Sequence, residues 1–287
     1  MKSVKRSLCL LLALALAFTL CACSLTPRMA VSMQKMGKVK SLHSDTTVEI
    51  EASLSFLGEE MPLSFAMRIL GDQQRDPAMG SYEMSMTAMG VTQKMLLCSA
   101  QEEDGSFTVY LSPDGGKSWE KKSVDPRAYA ESAESTPELN IGNVLKLGVS
   151  LASLFEEAGT VDLPGGRGVV YEGTIPPEIL QELLRRAAAS EKLKAVFPIE
   201  LDEELLATVG GVPVRLVVDE QSDMPVRLEA DLTEAMAGIV PGIVQQVMDR
   251  FGLPGEGMAI TVSKLAVSTA LSDFDEAVVT LPADIAA

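Results

Sequence analysis

Strict alternation over residues 46–69 constrains this chain more than any other feature. Val48, Ile50, Ala52, Leu54 and Phe56 share one parity, while Glu49, Glu51, Ser53 and Ser55 take the other. Successive strand side chains point to opposite faces, so the pattern describes a half-solvated strand. A turn at Gly58-Glu59-Glu60 follows, and Met61, Leu63, Phe65, Met67 and Ile69 resume the alternation on a second strand. The stretch from Gly71 to Gly80 reads as a loop. Further strands are expected over 82–89, 91–99, 107–112 and 119–122. Strands that follow one another through short turns build an antiparallel meander rather than βαβ units.

The middle of the chain reads as helical. Between Pro137 and Ala158, apolar residues recur at Leu139, Val144, Leu147, Leu151, Leu154 and Phe155, and Gly159 supplies a stop. After a strand at 168–173, Pro176-Pro177-Glu178 opens a second helix to about Val196, with proline where helices accept it. A short helical piece at 202–208 and two strands at 212–219 and 225–232 come next. Residues 233–251 form a third apolar helix with an expected kink at Pro241. Strands at 258–271 and 277–281 close the chain. No Pro/Gly/Ser-rich linker separates the parts, so one α+β domain over residues 45–287 is the economical reading.

The N-terminus indicates location. Lys2, Lys5 and Arg6 precede an apolar run from Leu8 to Leu20, too short for a comfortable bilayer span and placed where a signal peptide lies. It ends in Leu20-Cys21-Ala22-Cys23, the form of a bacterial lipobox. Cys23 is the expected lipidation site, because Cys21 would put bulky Leu20 where a small residue is needed. Residues 1–22 are then the signal, and 23–44 a tether leading into a first short helix. Loss of Lys2, Lys5 and Arg6 takes the formal charge from −16 to −19, which argues against nucleic acid as a partner and against electrostatic adhesion to anionic lipid headgroups. Attachment is expected through acyl chains, at about 0.8 kcal/mol for each buried methylene. The expected location is the outer face of the cell membrane. Cys98 would then be a lone thiol, buried in an apolar strand, and the fold would rest on packing rather than on a disulfide.

Catalytic and metal-binding groups are scarce. His43 is the one histidine, and Glu102-Glu103-Asp104 and Asp202-Glu203-Glu204 read as solvated turns or helix starts. No nucleophile elbow, Walker loop or dinucleotide fingerprint is present. The expectation is a non-enzyme without a cofactor or metal. Methionine is the unusual component, with ten of the fourteen that follow the signal lying between Met29 and Met95. Such side chains can fill a core, line a pliable apolar cavity, or bind a soft metal. Ser112-Pro113-Asp114-Gly115-Gly116-Lys117-Ser118-Trp119 fits the Asp-box hairpin, a structural turn plugged by its aromatic residue. A propeller would need several copies, and this chain has one.

The order of elements resembles the LolA/LppX-like class of envelope lipoproteins. So do three phrases: Tyr110 to Trp119 with its Asp-box, Val214-Arg215-Leu216-Val217-Val218-Asp219 followed by Met224-Pro225-Val226-Arg227, and Phe274 to Pro282. The resemblance covers most of the chain beyond the signal. It implies a strongly curved antiparallel sheet, an unclosed barrel, with helices on its concave face and acyl chains taken up between them. It supplies no catalytic residues. Self-lipidation departs from the freely diffusing carriers of that class. On this reading Phe56, Phe65, Met67, Met84, Met86, Ile239, Ile243 and Val247 are candidate cavity walls for a lipid or other hydrophobic ligand. The alternative is an envelope protein without ligand, its space filled by its own side chains and its function carried by protein partners.

Overall fold

The structure is a computed structural model, described here over residues 27–56, 59–124, 154–189, 201–250 and 258–282. Cys23, residues 137–153 of the helix expected over 137–158, and the end of the second expected helix lie outside these ranges. Eleven strands form one antiparallel sheet: β1 Ser41–Phe56, β2 Glu59–Arg75, β3 Ala78–Ala88, β4 Val91–Gln101, β5 Phe107–Ser112, β6 Glu120–Val124, β7 Phe155–Leu163, β8 Gly166–Ile175, β9 Val212–Asp219, β10 Pro225–Asp231 and β11 Met258–Ser272. Their order is β6-β5-β4-β3-β2-β1-β11-β10-β9-β8-β7, with β6 and β7 at the two edges, so the sheet does not close. Among the described residues, five helices accompany it: α1 Pro27–Met36, α2 Pro177–Ala189, α3 Glu203–Leu206, α4 Thr233–Ala237 and α5 Ile239–Arg250. The α+β class and the unclosed antiparallel sheet agree with the sequence expectation.

Cross-strand pairing shows which parity faces the helices. One row of opposed residues runs Met86, Met67, Val48, Val267, Ala230 and Val214 across β3, β2, β1, β11, β10 and β9. Opposed residues share a face. Val214 belongs to the main core with Met29 of α1, Ala235 of α4, Val169, Tyr171, Leu216 and Val218, and Ile179 and Leu180 of α2 pack against it. Met67 of β2 and Met84 and Met86 of β3 therefore stand on the helix-bearing face. The opposite face carries ion pairs instead: Arg68 with Asp45, Lys94 with Glu83, Lys264 with Glu49, and Arg215 with Glu172 and Glu229.

Helix α1 shows how local sequence sets packing. Met29, Ser32, Met33 and Met36 recur at i, i+3, i+4 and i+7, and Met29 and Ser32 are fully buried. Met29 and Met33 pack on the main core, and Met36 on a second cluster of Val39, Leu42 and Met224. Arg28 and Lys35, on the outer side, both pair with Asp223 in the β9–β10 turn, at 3.2 and 3.0 Å.

Several elements differ from expectation. Residues 71–75 and 78–80 are strand, so the expected loop shrinks to a turn at Asp76-Pro77. Residues 155–158, expected to end a helix, begin edge strand β7, and Gly159 follows a register shift after Glu157, where an extra residue leaves the ladder. The 233–251 helix breaks at Gly238, not Pro241. A Cβ at Gly238 would come within 2.6 Å of the Thr208 carbonyl oxygen, so this close approach needs glycine. Pro241 is the third residue of α5, where no intrahelical donor is required. Residues 277–281 form no strand, although Val279 is buried.

Candidate functional site

Four of the candidate cavity residues stand together. Phe65 and Met67 alternate with exposed Ser64, Ala66 and Arg68 on β2. Met86 lies opposite Met67, Met84 opposite Ile69, and Met95 of β4 continues the row from Met84. All are half-buried. A strip of thioethers and one phenyl ring thus prolongs the core face beyond the reach of the main cluster. Unbranched thioether side chains adapt to irregular neighbours, so such a strip can re-pack around an apolar guest.

The helix contribution differs from the expected one. A cavity of about 360 Å³ lies between α5 and the β1–β11 pair, walled by Leu54, Ile260, Pro241, Gly242, Val244 and Met248 among others. None of the seven candidate residues with described side chains is among its walls. Ile239 is buried at 1 % exposure, Ile243 is half-buried, and Phe56 is 42 % exposed near the β1–β2 end. The Val247 side chain lies outside the described residues. On a helix, positions 241, 245 and 248 fall on nearly one azimuth, with 239 and 243 on the far side. Gly242 lies against α3, where a Cβ would approach the end of the Leu205 side chain. One glycine among the larger residues of α5 was the sequence sign of that close neighbour.

A larger groove of about 860 Å³ crosses the charged face from β1 to β8. Its two cations are engaged by carboxylates, Lys264 by Glu49 at 2.6 Å and Arg215 by Glu229 at 3.0 Å. Leu154, Pro213, Val214, Ala230, Ala266 and Val267 also line it, so apolar and paired charged groups share its walls.

The remaining polar candidates have structural placements. The His43 ring Nδ1 lies 2.7 Å from Asp72 Oδ1 on the neighbouring strand. Cys98 is a free thiol on β4 at 2 % exposure, and burial pushes its pKa up. In the Asp-box turn, Asp114 accepts hydrogen bonds from the Ser112 and Ser118 hydroxyls and from the Lys117 and Ser118 amides. Those donors, Ser118 foremost, hold its carboxyl well below the usual range. Trp119 beside it is half-buried. Among the described residues, no group of three or more His, Cys, Asp and Glu is arranged to hold a metal. No described helix is long and apolar enough to cross a membrane.

No family model matches the sequence. No curated protein matches it either. Among solved structures, the chain is similar to the lipoprotein LppX of Mycobacterium tuberculosis, with a TM-score of 0.41 and 11 % identity over 88 % of this chain and 95 % of that one. It is also similar to LprF from Mycobacterium bovis, with a TM-score of 0.41 and 16 % identity over 89 % and 94 % of the two chains. LppX, whose class the sequence phrases resemble, is thus among the structural neighbours of this chain.

Proposed function

We propose that this protein is an extracytoplasmic lipoprotein, anchored to the outer face of the cell membrane through Cys23, that holds a lipid or other hydrophobic molecule between its sheet and helices. The observation that carries this reading is the cross-strand row from Met86 through Met67 and Val48 to Val214, which joins half-buried methionines to the core face. The apolar space under α5 supports it, since its volume of about 360 Å³ falls within the roughly 300–1,000 Å³ of small-molecule sites. The lipobox supplies the location. Acyl chains are the nearest apolar guests at that surface, and no catalytic step is part of the role.

A fluorescent fatty-acid probe tests the binding. The chain from residue 24 onward should enhance its emission saturably, and Val244→Phe, which fills the space under α5, should weaken binding severalfold without lowering the unfolding temperature. Absence of saturable binding overturns the carrier role. The second reading, an envelope protein that works through protein contacts, is favoured by one observation. Phe56, Met61, Met89 and Val91 are 42, 47, 73 and 73 % exposed around the β1–β2 and β3–β4 tips.

A further inference from the structure

The anchor and the fold together fix an orientation. Only Ser24, Leu25 and Thr26 separate Cys23 from Pro27, the first residue of α1. Four Cα–Cα steps span at most about 14 Å. Helix α1 is itself pinned to the domain: Met29 and Ser32 are fully buried, and Arg28 and Lys35 bind Asp223 in the β9–β10 turn. Arg28 also reaches Glu220, whose amide donates to the Arg167 carbonyl in β8. A lipid on Cys23 therefore cannot move far from the end of the sheet that carries the β7–β8 and β9–β10 turns. We infer that this end is the membrane-facing surface of the anchored protein, with a lipid headgroup layer as its partner and the opposite end held away from the bilayer. The inference rests on the lipoprotein reading of Cys23.

One further observation agrees: the β1–β2 end lies far from α1. Glu60 pairs with Ser55, twelve residues along β1 from His43, which is about 40 Å of strand. The exposed apolar residues near that end, Phe56 and Met61, are then presented outward rather than inserted in the anchor's own membrane. The apolar face runs between the two ends, so a guest could pass along it from bilayer to outer tip.

Energy transfer from the protein to the membrane tests this. The full chain, with Cys98→Ala, is produced in a lipoprotein-processing bacterium and placed in phosphatidylglycerol-containing vesicles bearing a rhodamine-labelled phosphatidylethanolamine. A donor is attached in separate samples at Gln221→Cys, in the β9–β10 turn, and at Glu60→Cys, at the far end. Transfer should be several times more efficient from position 221 than from position 60. Inserting twenty Gly/Ser residues after Ser24 should reduce that ratio toward one. Equal or reversed transfer in protein that floats with the vesicles overturns the orientation alone. Failure to float removes the anchor, and the orientation with it.

Discussion

Gly71 of β2 lies directly beneath the ring of Tyr82 on β3: a Cβ at Gly71 would come within 2.6 Å of Tyr82 Cδ1. Gly80, two residues before the tyrosine on its own strand, makes the same concession on the other side of the ring, at 2.8 Å. Glycine in a strand interior often marks such a close approach. Gly71→Ala should destabilise the domain by about 1–3 kcal/mol through overpacking. The same substitution in a Tyr82→Ala background should be nearly neutral, because the clash has gone. Equilibrium denaturation of the four proteins gives the coupling.

That pair also shows why part of the fold was illegible in the sequence. Glycines at 71 and 80 carry a loop signal and a strand-packing signal that look identical without the partner ring. Gly159 is ambiguous in the same way, as a helix stop or a strand irregularity. By contrast, the parity of Val48, Met67 and Met86 was readable, because alternation leaves a strand only two faces and charged residues occupy one. Helix α5 offered no such choice. Its apolar stripe, Ile239, Val240, Ile243 and Val244, spans an arc of about 140°, yet the cavity beneath it is walled by Pro241, Gly242, Val244, Gln245 and Met248, largely beside that arc.

The Asp-box turn should make stability depend on acid. Asp114 is held below its ordinary value of 3.8 in the folded state by the hydroxyls and amides around it. A depressed carboxylate contributes stability that is complete above the unfolded-state pKa and is lost as pH falls toward the folded one. The stability difference between the native protein and Asp114→Asn should therefore be constant from pH 7 to about 5. Below pH 4 it should shrink. Urea titrations at each pH measure the difference, and a difference that grows on acidification would refute the assignment.

Cys98 should be chemically silent while the protein is folded. It is almost fully buried, its Sγ lies 3.7 Å from the Ser81 hydroxyl, and burial raises its pKa, which lowers the thiolate fraction available to react. A maleimide reagent should modify it at a rate that rises steeply with urea, in step with unfolding. Fast modification in buffer alone would show that β4 opens locally.

A guest on the apolar face should be visible by native mass spectrometry of the chain from residue 24 onward, purified from bacteria without detergent. The expected spectrum contains a population heavier than the polypeptide by the mass of a lipid, lost on mild collisional activation and reduced in Val244→Phe. A spectrum containing only the bare chain, from protein that also fails to take up added fatty acid, would contradict the binding of a guest.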